Sequence, residues 1–421
     1  MERLPGFRDF FPEPLPEGEA WSAGVRARIF EIWHDIAKRY GFQFYDGPPL
    51  EPLDLFTKKS GDEIVGQLYN FTDKGERAVS LRPEMTPTVA RMVAARERHY
   101  KKPIKWYSIP QLFRYERQQK GRLREHFQFN ADIFGEQDPA ADAELIALLI
   151  DVLREFRLTA DDFVIRLSSR NAWQDFFSQH CDDPSKAYDF YQIVDKLERT
   201  PPEESDKKLQ ALGFSLEQVR AFIDSGDPTE ELQAVLDSLA ARGLSDFVKI
   251  DYNVIRGLAY YTGVVYEAFD RKGEFRAIAG GGRYDQLVGL VSNGKKEMPA
   301  AGFAMGDVVL AELLKDRDLL WPYVSDVSVY VMIDEEAARA DAIGLVQKLR
   351  DAGWGVEFSL VPQKPDKQFK RARELDVNFV LHALSEGQVR VKTLATREER
   401  ELASGAITEH LQQELNKLTQ D

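Results

Sequence analysis

Phe113-Arg114-Tyr115-Glu116-Arg117, continued at Gly121-Arg122-Leu123-Arg124-Glu125, carries five basic residues within eleven positions: Arg114, Arg117, Lys120, Arg122 and Arg124. A glycine sits among them. Apolar runs flank them, from Trp106 to Phe113 and from Phe127 to Phe134. This pattern predicts two strands joined by an arginine-rich loop. Arginine offers a planar fork of donors that matches phosphate oxygens. Such a loop suits a nucleoside triphosphate, a nucleic-acid end, or both. A solvated charged hairpin is the plain alternative.

Two later segments narrow the choice. Val254-Ile255-Arg256-Gly257-Leu258-Ala259-Tyr260-Tyr261-Thr262 sets an arginine and a glycine before paired tyrosines, and Ala279-Gly280-Gly281-Gly282-Arg283-Tyr284-Asp285 runs three glycines into Arg-Tyr-Asp. With the arginine hairpin, these resemble histidyl-tRNA synthetases. Phe113 to Glu116 with Gly121-Arg122 is similar to the second signature motif of class II aminoacyl-tRNA synthetases. The two later segments are similar to the two histidine-specific motifs. A helix, Tyr40-Gly41-Phe42, a strand, then Pro49 and Glu51 is similar to the first class II motif, which builds the family's dimer interface. A core helix packed on a sheet fits the same residues. The resemblance covers nearly the whole chain, in the family's order.

Bulk properties agree with a soluble globular protein of several domains. The chain has 421 residues, 43% hydrophobic and 30% charged. No apolar run approaches the roughly 18 residues of a membrane span. The richest, Leu145 to Leu153, is cut by Asp151 and reads as an amphipathic helix. The N-terminus has no signal-peptide core, and Cys181 is the only cysteine, so an internal disulfide is excluded. A cytoplasmic location is expected. The six histidines show no metal-ligand spacing. Net charge is −14, so phosphate contacts need local basic patches. Three stand out: the arginine hairpin; Arg91, Arg96, Arg98, Lys101, Lys102 and Lys105; and Lys364, Lys367, Lys370, Arg371 and Arg373, opposed only by Asp366.

Trp21, Val25, Ile29, Trp33, Ile36 and Tyr40 recur at helical spacing, with Gly41 as a stop and Phe42 to Tyr45 as a short strand. Lys105 to Phe113, Glu125 to Phe134 and Phe163 to Leu167 read as strands of an antiparallel sheet, with a helix from about Ala140 to Phe156. From Arg170 to Leu244 the chain is polar, helical and broken at Pro201-Pro202. Ser215 with Gln218 makes a capping box there, and Phe214 with Val219 a staple. The sheet resumes near Phe247 and continues through Tyr266 and Ile278. Beyond the linker-like Trp321-Pro322-Tyr323, strands at Val327 to Ile333, Val356 to Leu360 and Phe379 to Ala383 alternate with helices at Glu335 to Arg350 and Lys367 to Leu375. That spacing predicts a small α/β domain with a largely parallel sheet. The fold expected is an α+β catalytic domain with an antiparallel sheet, in two parts (1–169 and 246–322), a helical insertion (170–245) and a C-terminal α/β domain (326–421). The family carries an anticodon-binding domain at that last position.

The resemblance implies ATP-dependent attachment of L-histidine to tRNA(His) through a histidyl-adenylate, by a cytoplasmic homodimer, with Mg2+ accompanying ATP. It puts Arg114 and Arg256 on the α-phosphate, as the catalytic pair, and Arg122 on the outer phosphates. It puts Glu84 and Thr86, flanking Met85, on the α-amino group, Gln128 near the carboxylate and Asp132 on the imidazole. Tyr260 and Tyr261 supply hydroxyls and pocket wall. Gly280, Gly281 and Gly282 let the backbone pass close to the ligand, and Tyr284 follows. Core aromatics and a mere turn are the plain readings of the tyrosines and glycines.

The chain departs from the family pattern at three places. Ala259 stands where aspartate is usual, and Gln118 where proline often follows the loop arginine. Gly302 to Val309 resembles the third class II motif, but its arginine, which normally stacks on adenine, would fall at Val309. Two other readings compete. One is a non-catalytic paralogue serving as the regulatory subunit of ATP phosphoribosyltransferase, which usually loses the Arg256 to Tyr261 element and the C-terminal domain. The other is a class II synthetase for proline or threonine, which the histidine-specific segments disfavour.

Overall fold

The computed structural model describes residues 2–60, 66–115, 121–255, 260–384 and 387–418. The chain divides into two compact units, Met1–Trp321 and Pro322–Asp421.

The strands of the first unit are β1 (Gln43–Phe44), β2 (Leu50–Pro52), β3 (Asn70–Thr72), β4 (Ala78–Leu81), β5 (Ile104–Ser108), β6 (Gln111–Phe113), β7 (Glu125–Phe134), β8 (Phe163–Ser169), β9 (Val248–Ile250), β10 (Val264–Asp270), β11 (Ala279–Arg283) and β12 (Ala300–Gly306). The main sheet runs β1-β5-β7-β12-β11-β10-β8-β9, with β6 also on β7; β2-β4-β3 is a small separate sheet. The expected antiparallel pairing holds through the centre. The two rim pairs, β1–β5 and β8–β9, are parallel. The expected Lys105 to Phe113 strand is two pieces, β5 and β6, interrupted at Ile109 and Pro110. Proline has no N–H to give a ladder, and the Pro110 carbonyl instead accepts from Gln128 N at 3.1 Å.

The first long helix, Ala23–Arg39, starts at Ser22, whose hydroxyl accepts from Val25 N at 3.0 Å. It stops at Gly41, where φ is +75°. Such a left-handed residue costs glycine little. Trp33 is fully buried and stacks on Phe129 of β7, ring centres 5.7 Å apart, fixing the helix to the sheet. The Ala140–Glu155 helix differs from expectation. It is not amphipathic over Leu145 to Leu153; every residue of that run except Asp151 is buried. The sheet covers one side, and the helices Ala23–Arg39 and Glu230–Ala241 cover others, as an all-round apolar helix requires. Asp151 survives there by accepting from Tyr40 Oη at 2.6 Å.

Between β8 and β9 the chain is helical, including Arg170–His180, Ala187–Asp195, Pro202–Leu212, Leu216–Ser225 and Glu230–Ala241. The Ser215–Gln218 capping box forms, and Phe214 and Val219 are both buried. Trp173, Phe190, Val219 and Leu239 from these helices join the sheet's own core in one cluster.

In the second unit, β13 (Val329–Met332), β14 (Val356–Phe358), β15 (Phe379–Ala383), β16 (Gln388–Thr393) and β17 (Glu399–Ala403) form a sheet in the order β14-β13-β15-β16-β17. Only half of it is parallel: β13 with β14 and β15. β16 and β17 make an antiparallel hairpin, because the link 394–398 is too short for a crossover. Val389 and Val391 point into the core, while Arg390 and Lys392 pair outward with Glu401 and Glu399 at 2.9 and 2.7 Å. Among the described residues, no helix is long and apolar enough to cross a membrane.

Candidate active site

A cleft of about 740 Å³ opens beside β7, β11 and β12, lined among the described residues by five arginines (Arg114, Arg122, Arg166, Arg199, Arg276) against two carboxylates, Glu198 and Glu267. Arg114 follows β6. Its backbone N–H bonds the Arg124 carbonyl at 2.9 Å, which closes the base of the hairpin. Its Nε donates to the Pro83 carbonyl at 2.9 Å, so the arginine is aimed by the loop that carries Glu84. Burial, and then the charges of Arg276, Arg114 and Arg199, hold the Arg122 guanidinium below its usual pKa. Cations gathered this closely favour an anionic ligand. His126 of β7 lines the same cleft. Burial first, then Arg114, Arg8 and Arg122, push its pKa down to about 3, so at neutral pH it offers an uncharged imidazole.

A second polar group lies buried. Tyr284 donates its hydroxyl to Asp132 Oδ1. Asp132 Oδ2 is buried with no hydrogen-bond partner among the described residues. Burial raises the Asp132 pKa to about 7, against the lowering effect of the Tyr284 bond. Tyr260 donates to Glu84 Oε2 at 3.3 Å, and its ring packs on Tyr261 and Tyr284 with centres 4.8 and 6.0 Å apart. Met85 is fully buried in the same cluster, with Val89 and Leu287. Thr86 opens the Thr86–Arg96 helix. At Gly302, a side-chain carbon would overlap Asp132 Oδ1 and come within 2.8 Å of Tyr284 Oη; only glycine leaves that pair room.

The structure thus brings Glu84, Asp132, Tyr260 and Tyr284 together, and brings Arg114, Arg122, Gln128 and Gly280 to the cleft. Strand β7 connects the two groups. Gln128 and Asp132 lie on one face of it, four residues or about 13 Å apart. Gly281 and Gly282 serve packing: a side-chain carbon on Gly281 would lie 2.6 Å from Phe303 Cβ, and one on Gly282 2.7 Å from the Val264 carbonyl. Arg283 is structural too. It is buried and bonds Asp142 and the carbonyls of Glu136 and Asp138. Arg256 and Ala259 lie outside the described residues, as do Arg117, Gln118 and Lys120.

Residues 20–307 match the family model described as histidyl-tRNA synthetase, and residues 326–414 match that of an anticodon binding domain. The chain belongs to the histidyl-tRNA synthetase family. A histidine–tRNA ligase of Opitutus terrae is 45% identical over 425 residues, covering 95% of each chain. One of Leptospira biflexa is 35% identical over 441 residues, covering 99% of this chain and 98% of its own. The crystal structure of histidyl-tRNA synthetase from Nostoc sp. PCC 7120 shares the fold, with a TM-score of 0.77 at 22% identity over 96% of this chain and 100% of that one.

Within the histidyl-tRNA synthetase family framework, several cleft residues escape a motif-based reading, His126, Arg199 and Arg276 among them. His126 was within reach, because it shares the β7 face of Gln128 and Asp132 by a period of two. Arg199 comes from the helical insertion, and Arg276 from the connection between β10 and β11; no local pattern ties either to the cleft. The second basic patch is not a phosphate surface as a whole. Arg91 bonds buried Glu51 at 2.6 Å, Lys105 bonds Glu144 at 2.8 Å, and Lys102 lies 3.5 Å from Glu97.

Proposed function

We propose that this chain activates L-histidine with ATP and transfers it to tRNA(His). A carboxylate oxygen of histidine attacks the α-phosphorus, the bond to the β-phosphate oxygen breaks, and pyrophosphate leaves. The 3′-terminal ribose hydroxyl of the tRNA then attacks the adenylate carbonyl and AMP leaves. Negative charge builds on phosphate oxygens in the first step, so the protein's task is positioning and neutralisation. Arg114 and Arg256 address the α-phosphate and Arg122 the outer phosphates. Glu84 and Thr86 hold the α-amino group, Gln128 the carboxylate, and Asp132 with Tyr260, Tyr261 and Tyr284 the imidazole side. Gly280 lets the backbone approach the ligand, with Gly281, Gly282 and Met85 supporting the pocket wall.

The observation that carries this reading is the buried Asp132 carboxylate, with one oxygen bonded by Tyr284 and the other without a partner among the described residues. An imidazole N–H is the kind of donor such an acceptor lacks. Mg2+ enters with ATP. It suits one or two carboxylates plus substrate phosphates, and Glu198 and Glu267 are the carboxylates on the cleft among the described residues. Residues 1–169 and 246–322 act as the catalytic part, 170–245 as the helical insertion and 326–421 as the tRNA-reading part, in a cytoplasmic homodimer. The anticodon-binding match over 326–414 favours this reading over a phosphoribosyltransferase regulatory subunit. The test is histidine-dependent exchange of pyrophosphate into ATP. Its absence in folded protein at millimolar ATP would favour the regulatory-subunit reading.

A further inference from the structure

The cleft has a far end whose occupant the motif residues do not explain. Along β7, Asp132 opposes Gly302 of β12 and Gln128 opposes Gly306. Moving from Asp132 to Gln128 therefore leads away from the buried carboxylate, and Val308 and Val309, which also line the cleft, lie beyond Gly306. A molecule joining an imidazole at Asp132 to a nucleotide must place its base towards that end. There Val309 occupies the position where a stacking cation is expected, and it offers only methyl groups.

A cation does reach the same space from another element. A side-chain carbon on Gly121 would sit 3.4 Å from Val309 Cγ2, 3.6 Å from Glu312 Oε2 and 4.0 Å from Arg276 Cδ, so valine, a carboxylate and arginine border one spot beside the arginine hairpin. Arg276 is exposed and lines the cleft. Its carrier loop is held at both ends. Asp270, 3% exposed, accepts from Glu274 N at 3.2 Å and Phe275 N at 3.1 Å. Ile278 N bonds the Ala268 carbonyl at 2.7 Å.

We propose that Arg276 is the nucleotide-positioning residue that replaces the third-motif arginine, laying its guanidinium on the adenine ring of ATP from the β10–β11 loop while Val309 supplies an apolar contact. A guanidinium is planar, always charged and weakly hydrated, which suits stacking on a flat heterocycle. Arg114, bonded to Pro83 beside Glu84, stays at the α-phosphate end. The two arginines thus divide the nucleotide between them. This inference rests on the histidine-activation reading.

The experiment measures pyrophosphate exchange with Arg276→Ala and Arg276→Lys, varying ATP, histidine and pyrophosphate separately, with adenosine as a competitive inhibitor. The expected result is a KM for ATP raised between about 3- and 30-fold in Arg276→Ala. Adenosine inhibition should weaken in parallel, and the KM values for histidine and pyrophosphate should stay unchanged. Arg276→Lys, which keeps the charge and loses the plane, should fall between. A KM for ATP equal to wild type in Arg276→Ala overturns the inference. So does a raised KM for pyrophosphate with unchanged adenosine inhibition, which would put Arg276 on the phosphates. A wild-type protein that performs no exchange would overturn the activation reading itself, which keeps the two failures distinguishable.

Discussion

The hydroxyl of Tyr284 bonds one oxygen of Asp132, leaving the other oxygen buried and without a partner among the described residues. A half-satisfied buried carboxylate is costly, and a ligand N–H on Oδ2 would complete it. Asp132→Asn preserves volume and the Tyr284 contact but removes the charge. Histidine binding should weaken by about ten- to a hundredfold, with the fold intact. The wild-type site should activate phenylalanine about 10⁴-fold or more poorly than histidine, because an apolar ring leaves the pocket's polar groups unpaired. Comparable activation of the two amino acids in pyrophosphate exchange would sink the assignment.

The raised pKa of Asp132, about 7, sets the sign of two pH effects. An unfolded aspartate titrates near 4. Between roughly pH 4 and 7 the folded ligand-free protein therefore holds the extra proton, and stability is lost as pH rises through that window. Asp132→Asn has no proton to lose, so it should melt higher than wild type at pH 8 and about equally at pH 4. Histidine affinity runs the other way. If the ionised carboxylate accepts the imidazole N–H, affinity should fall by up to about tenfold per unit below pH 7. Calorimetric titration between pH 5.5 and 8.5 reads this directly, and affinity that climbs on acidification would contradict it.

Arg8, with a side chain 2% exposed, bridges Glu125 of β7 at 2.7 Å and Asp307, at the start of the Asp307–Asp316 helix, at 2.8 Å. Asp307 also accepts from Phe127 N at 3.0 Å. Arg8→Ala leaves two buried carboxylates without their cation, which costs about 3–5 kcal/mol. Urea unfolding at pH 7.5 should show that loss, and it should shrink on acidification as Asp307, whose pKa burial raises, protonates. A loss under about 1 kcal/mol would mean that water reaches the pair.

The same bridge marks how far the sequence could be read. Local signals are sufficient for the helix from Ala23 to Arg39, for the Glu125 to Phe134 strand after the arginine hairpin and for the Ser215 capping box, since spacing, caps and glycine stops act within a few residues. Arg8 finds its partners 117 and 299 positions away, and nothing near it distinguishes it from Arg3. Arg276 and Val309, 33 positions apart, border the same spot beside Gly121 only because strands β11 and β12 are neighbours. The Arg91 to Lys105 patch reads as basic because two of its acids, Glu51 and Glu144, come from other elements, and Glu97 is the one acid within it. Leu145 to Leu153 read as amphipathic because one aspartate interrupts it, and only tertiary packing shows that Tyr40 satisfies that aspartate.

Dimerisation should use the rim at β1. That strand ends the main sheet and carries Phe44 at 57% exposure, with Leu50 and Phe71 of the small sheet also exposed. An edge with unpaired backbone groups and exposed apolar side chains is suited to a symmetric partner. Sedimentation at micromolar concentration should give twice the 48.1 kDa of one chain, and Phe44→Asp should shift it towards monomer. A fully active monomer would refute this.

Removing the second unit should separate the two half-reactions. The unit Met1–Trp321 carries the whole of both site clusters, so a chain ending before Asp326 should still exchange pyrophosphate at near full rate. The second unit presents the Pro365–Glu374 helix, where Gln368 and Ala372 face inward and Lys364, Lys367, Lys370, Arg371 and Arg373 are exposed. Glu374 as well as Asp366 opposes them, at 3.9 Å from Lys370 and 3.5 Å from Arg371. Those contacts are solvent-exposed and weak, so most of the charge stays available to phosphates. Charging of tRNA by the intact chain should therefore fall steeply with salt, with a slope of roughly −0.7 to −0.9 in log–log form per phosphate neutralised. The truncated chain should charge poorly at physiological salt and show a shallower slope, because phosphate contacts position the tRNA rather than do chemistry. Full charging by the truncated protein, or an unchanged salt slope, would show that the first unit alone holds the tRNA.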